Sequence, residues 1–271
     1  MNRKRLFHVL SQSKSSISVL AVFGLFLLLW QCVVSFWNLP PILLPSPWRV
    51  ANVFWQESSA LAKGFLLTGA ESLVALSISA MLGFLIAVLF SQFRFLRRAF
   101  YPYVVFLQTV PIVAIAPLLI TWRGYTLETV VLVSVIISLF PIISNCTAGL
   151  LSVDGSLGEV FRLYGASRWQ TLWKLRIPNS LSHLVLGLRV SAGLAVVGAI
   201  IGEFFVGSRF SNLAGLGTIM TGWQTLNKTD GLIAVVFTST MLGLTILGVV
   251  NWGTYLLFSR WTFSRDFERD L

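Results

Sequence analysis

Residues 127–150 read LETVVLVSVIISLFPIISNCTAGL, and after Glu128 the run carries no formal charge. A helix rising 1.5 Å per residue needs roughly 20 residues to cross about 30 Å of hydrocarbon, and this stretch is long enough. No water is available there to bond peptide groups, so the backbone must satisfy itself as a helix. Working outward, similar apolar runs lie at 17–37, 65–91, 99–122, 183–206 and 232–258. The chain of 271 residues is 56% hydrophobic and only 11% charged, with a mean hydropathy of +0.81. That is too apolar for a soluble domain of this length to hide behind a polar surface. The expectation is an all-α integral membrane protein with about six transmembrane helices.

The segments between the runs give the organisation. Residues 1–16 form a basic tail with Arg3, Lys4, Arg5 and Lys14. The run at 17–37 is longer than a signal-peptide core and has no small-residue cleavage signature, so it reads as a retained first helix. Residues 39–47, LPPILLPSP, hold four prolines and predict an extended loop before a short amphipathic piece at 48–61. The core is expected at 65–258 and a second tail at 259–271. With the N-terminus inside, fifteen of the 20 lysines and arginines fall on the cytoplasmic side, and Arg49, Lys63, Arg123, Arg209 and Lys228 fall outside. A bias of that size orients membrane proteins, which puts both termini in the cytoplasm. It also accounts for the net charge of +10 without nucleic acid, for which no groove-reading motif exists.

The polar stretch 152–182 contains EVFRLYGASRWQTLWKLRIP at 159–178. Glu159 to Tyr164 suit a short helix carrying Val160, Phe161, Leu163 and Tyr164, stopped by Gly165, which turns with positive φ at no steric cost. A second helical piece, Ala166 to Leu175, places Trp169, Leu172 and Trp173 at helical spacing beside Arg168, Lys174 and Arg176, and is expected to end before Pro178. Such a hairpin is either an apolar knob for a partner's groove or an amphipathic element resting on lipid.

The same residues resemble the EAA signature of permease subunits of binding-protein-dependent ABC importers, E-A-A-x3-G-x9-I-x-L-P, of MetI-like fold. Glu159, Gly165, Leu175, Ile177 and Pro178 fall at matching positions, whereas Val160 and Phe161 replace the usual alanines. The segments LPSP at 44–47, QTVPIVAIAPL at 108–118, GASRW at 165–169, GLRV at 187–190 and GLG at 215–217 are similar to the branch handling nitrate, sulfonates, taurine, bicarbonate or pyrimidine-type precursors. The resemblance implies a bacterial inner-membrane protein whose two copies form a translocation pathway by alternating access. It also implies an ATPase dimer gripping the 152–182 loop, with Glu159, Val160, Phe161, Leu163, Tyr164, Gly165, Ala166, Leu175, Ile177 and Pro178 as the coupling element. A periplasmic binding protein would deliver the solute, and Gly215 and Gly217 would shape a periplasmic turn meeting it.

ATP and magnesium are expected on the partner, because this chain has no Gly-x4-Gly-Lys-Ser/Thr and no Gly-Lys dipeptide. Hydrolase chemistry is not expected either, since His8 and His183 sit in neither a HExxH nor a Gly-x-Ser-x-Gly context. Cys32 and Cys146 lie inside apolar runs without metal-ligand spacing, so no metal or bound cofactor is expected. An ion-coupled secondary transporter would show a repeat of interrupted helices, which this sequence lacks. Glu71 and Glu203 are costly in lipid and must face protein, water or the interface. They are candidates for the pathway or its gate, or for hydrogen bonds to a neighbouring helix end. Pro102, Pro111, Pro117 and Pro141 remove backbone donors inside spans, with Pro111 and Pro117 the pathway candidates among them. Prolines of this kind line moving helices or are simply tolerated.

Overall fold

The computed structural model describes residues 3–207 and 214–258, and among them no strand occurs. Eleven α-helices follow in order: α1 Arg3–Phe36, α2 Pro47–Gln56, α3 Ser58–Gln92, α4 Arg94–Thr109, α5 Ile112–Arg123, α6 Leu127–Leu151, α7 Gly155–Leu163, α8 Arg168–Thr171, α9 Ile177–Val206, α10 Leu216–Thr225 and α11 Thr229–Phe258. They form two compact units. Among the described residues, one comprises 3–58 with 223–236, and the other 59–207, 214–222 and 237–258.

Four helical stretches among the described residues are long and apolar enough to cross a membrane: Ser58–Gln92, Leu127–Leu151, Arg168–Val206 and Thr229–Leu256. Helices α4 and α5 qualify only together and meet at a bend of 100°. The expected third span, 99–122, is therefore broken at Val110–Pro111. Pro111 has no N–H to continue α4, and it stands instead as the N-cap of α5. Pro102, Pro117 and Pro141 stay inside their helices. With the shorter apolar helix Ala21–Phe36, the spans come to about six, the sixth being a bent pair.

Other boundaries shift as well. Helix α1 begins at Arg3, so the basic stretch expected as a tail belongs to that helix's backbone. Helix α3 begins at Ser58 rather than 65 and has 35 residues, about 50 Å, so it outruns the hydrocarbon. The chain turns after Gln56, and the amphipathic piece is confined to α2, which Ser46 caps and Pro47 starts. The 259–271 tail lies outside the described residues.

In the first unit, the Thr229 hydroxyl donates to the Ile42 carbonyl at 2.7 Å and Lys228 pairs with Glu57 at 3.4 Å. The second unit holds the core. Helices α6 and α9 approach backbone to backbone: a Cβ on Gly198 would sit 2.5 Å from Cα of Ser134, and one on Gly202 2.9 Å from Cα of Val130. Small residues permit that approach where lipid offers no hydrophobic drive between helices. Serines then join the helices. Ser134 donates to Ala195 O at 2.7 Å, Ser191 to Ser138 O at 2.6 Å, and Ser79 on α3 to Val135 O at 3.2 Å. Helix α5 packs Ala116 and Leu119 on Val133 of α6, with Ile201 and Phe205 of α9 alongside.

Candidate functional site

Asp154 starts the hairpin that follows α6. Its Oδ1 accepts from Ser156 N at 2.9 Å and from Ser156 Oγ at 2.8 Å, capping α7. The same two bonds hold its carboxyl below the usual carboxylate range. Helix α7 ends at Tyr164, and Gly165 takes φ +65°. Gly165 N donates to Arg162 O at 3.0 Å and Ala166 N to Phe161 O at 2.9 Å, so the last carbonyls of α7 are satisfied by the turn itself. Ser167 and Gln170 then cap α8 reciprocally: Ser167 N donates to Gln170 Oε1 at 2.8 Å and Gln170 N to Ser167 Oγ at 3.2 Å. Two short helices are thus stopped and started within four residues.

The predicted end before Pro178 is not observed. Helix α8 runs into α9 through a π-turn at Leu172–Arg176, where Ile177 N bonds back to Leu172 O. Proline offers no N–H to the carbonyl four residues back and its ring crowds that carbonyl, and the wider turn relieves both problems without breaking the helix. Pro178 therefore sits in the first turn of α9, and the apolar stretch counted as a span runs from Arg168 to Val206.

The hairpin presents its apolar side chains outward. Leu163 and Tyr164 are 84% and 88% exposed, Val160, Trp169 and Trp173 are exposed too, and Leu172 alone of the expected knob is fully buried. Phe161, Ala166, Leu175, Ile177 and Pro178 are half-buried, and Glu159 and Gly165 are exposed. The root is tied to the core: Asn179 Nδ2 donates to Gly149 O at 2.9 Å, and Arg176 Nη1 to Ser91 O at 2.8 Å. Sequence reading did not single out those anchors, because a lone Asn or Arg at a span's edge carries no pattern.

At a second place, Glu71 and Glu203 come together, both buried. Glu203 Oε1 accepts from Thr68 Oγ1 at 2.7 Å and its Oε2 from Gly217 N at 2.7 Å. Thr68 Oγ1 in turn accepts from Leu216 N at 2.9 Å. The first amides of α10 would have no partner within their own helix, and a carboxylate and a hydroxyl from α9 and α3 supply one each. Gly215 and Gly217 are buried against the Glu203 side chain. Their lack of Cβ is what lets α10 close on that carboxylate. The Glu71 carboxyl faces that of Glu203, and apart from this neighbour neither of its oxygens has a hydrogen-bond partner among the described residues. Pro111 and Pro117 contribute nothing to this hydrogen-bond set.

Residues 79–252 match the family described as binding-protein-dependent transport system inner membrane component. The chain belongs to this family of ABC transport permeases. The permease is 33% identical over 205 residues to the formylaminopyrimidine transport permease protein ThiX of Halalkalibacterium halodurans, covering 75% of this chain and 80% of that one. It is 32% identical to the riboflavin transport system permease protein RibX of Chloroflexus aurantiacus, over 82% of each chain. A putative aliphatic sulfonates transport permease protein, SsuC of Escherichia coli, is 26% identical over 79% of this chain and 80% of its own. The permease is thus a multi-pass membrane subunit of an ABC importer. Members of this family are transport subunits rather than enzymes, and they work with a separate ATPase and a substrate-binding protein.

Proposed function

We propose that this permease forms the translocation pathway for a small solute delivered by a periplasmic binding protein, and that residues 152–182 couple it to a cytoplasmic ATPase dimer. The observation that carries this reading is the hairpin itself. A surface with Leu163, Tyr164, Trp169 and Trp173 exposed would be an aggregation liability on its own, and it suits insertion into a partner's groove. The EAA spacing from Glu159 to Pro178 supports the same partner. ATP and magnesium are bound and used by that partner. The N-terminus and C-terminus face the cytoplasm of a bacterial inner membrane, as the distribution of lysine and arginine supports. Two permease copies pair around the pathway, and Glu71, Glu203, Pro111 and Pro117 are the groups proposed to line or gate it. A heterocyclic cargo is favoured by the names of ThiX and RibX.

Alternating access follows from these parts. Closure of the ATPases moves the two hairpins; each hairpin is continuous with α9 through the π-turn and tied to α6 through Asn179, so its displacement reaches the core without a flexible link. Affinity purification of the tagged chain from mild detergent tests the reading. An ATPase with a phosphate-binding loop should co-purify, and should be lost with Gly165→Asp, which forces a charged side chain onto the left-handed residue at the hairpin tip. Recovery of no ATPase under conditions that preserve another importer complex would falsify the coupling assignment.

A further inference from the structure

The turn between α3 and α4 faces the hairpin across a cleft of about 660 Å³. Gln92 and Arg94 line one wall, and Arg162, Arg168 and Arg176 line the other. Four guanidinium groups thus share one cleft, and no carboxylate lines it. The ion pairs among the described residues are Arg123 with Glu128 and Lys228 with Glu57, so none of the four is neutralised there by an acidic side chain. Arg176 is fixed across the cleft by its bond to Ser91 O. The side-chain amide nitrogen of Gln92 is buried without an acceptor, an N–H donor left over at the same place. Gly158, Gly165 and Ala166 also line the space and leave room at its floor.

Like charges gathered in a partly enclosed space repel, and a multivalent oxyanion removes that cost while accepting from several donors at once. Guanidinium forks match the oxygens of a phosphate in pairs, and the Gln92 amide adds a neutral donor. The surroundings indicate where such a group would come from. The cleft opens at the end of the α3 span, and its lining includes Phe93 and Phe95, 52% and 80% exposed. Arginine beside exposed, wholly apolar rings suits a boundary where the rings meet acyl chain and the guanidinium meets the headgroup layer.

We propose that this cleft binds a phosphate group, supplied by an anionic phospholipid of the adjoining leaflet, whose glycerol and upper acyl carbons rest on Phe93 and Phe95. The bound headgroup bridges the α3/α4 turn and the root of the hairpin at Arg176. The inference stands apart from the coupling assignment, because its test reads lipid binding and not transport.

Native mass spectrometry of the full chain, released from mild detergent, supplies that test. Phosphatidylglycerol should survive at collision energies that strip phosphatidylcholine. Arg94→Gln with Arg168→Gln should cut the retained phosphatidylglycerol about thirtyfold, given the usual contribution of each basic residue near an anionic surface. Arg97→Gln with Arg98→Gln, close in sequence but outside this cleft, should leave it nearly unchanged. All four substituted positions are half-buried or exposed, and a monodisperse elution profile checks each variant's fold. Equal losses in the two double variants, or equal retention of the two lipids, would overturn the proposal. Displacement of the lipid by millimolar inorganic phosphate, with the same dependence on Arg94 and Arg168, would overturn the lipid source and leave a site for soluble phosphate.

Discussion

The Thr68 hydroxyl serves two helices with one oxygen, donating to Glu203 and accepting from Leu216. Thr68→Val keeps the shape and strips both bonds, leaving a buried carboxylate oxygen and a helix-end N–H unmatched. The expected cost is about 1–3 kcal/mol. Thermal unfolding in detergent should show a lowered Tm for Thr68→Val and near-recovery for Thr68→Ser; equal Tm values would mean that water replaces the hydroxyl. Gly165 tests a different energy. A Cβ there meets nothing within 4 Å, so Gly165→Ala costs only the left-handed backbone, about 1–2 kcal/mol. That strain should loosen the hairpin and weaken ATPase recovery while the Tm of the core holds. Acid should act at Asp154. Its pKa is lowered in the folded chain, so the cap is intact above the usual carboxylate range and is lost as pH falls through the lowered value. The protection factor of the Ser156 amide, its exchange relative to an unprotected amide at the same pH, should therefore fall only on acidification below that range. Gly165 was legible in the sequence because a glycine after a short apolar helix has one obvious use. Thr68 was not, since a threonine inside an apolar run looks the same whether or not a distant glutamate reaches it.

Among the elements, the π-turn before α9 carries the sharpest consequence. Pro178→Ala restores an N–H and removes the ring, so the turn is free to relax to regular α geometry. Dropping the extra residue would rotate α8 by about 100° about its axis. A cysteine placed at Trp173 should then change its rate of maleimide labelling, whereas an unchanged rate would show that contacts of the buried Leu172, and not the proline, hold the turn. The spans were legible from hydropathy because lipid leaves a long apolar segment no alternative to helix. The joint at Pro178 was misread because proline usually ends a helix, and only the wider turn lets this one continue. Helix α10 was missed for the opposite reason. Its glycines suggest a loop, yet Gly215 and Gly217 are there to admit Glu203, a packing demand from across the fold.

For the whole molecule, the asymmetry of lysine and arginine yields a direct expectation. Alkaline phosphatase fused after Leu271 should be inactive, and fused after Tyr125 active, since that enzyme folds only outside the cytoplasm. The reverse result would invert every assignment of sides. Membrane class, helical fold and permease family were all legible from composition, span length and one twenty-residue motif. The cargo was not, because hydropathy and spacing say which segments cross the membrane but not which side chains they turn toward a solute. One feature of the fold bears on the route such a cargo takes. At the 100° elbow, Thr109 Oγ1 donates to Phe106 O at 2.8 Å and Ala114 N to Pro111 O at 2.9 Å, while the other terminal carbonyls of α4 and the amides of Ile112 and Val113 have no partner within their own helices. Oil would charge several kcal/mol for each bare peptide dipole, so this corner can persist at membrane depth only where water, or another protein surface, meets it. The elbow is therefore a depth gauge: wherever Thr109 to Ile112 lie in the bilayer, water or a covering protein surface reaches that far.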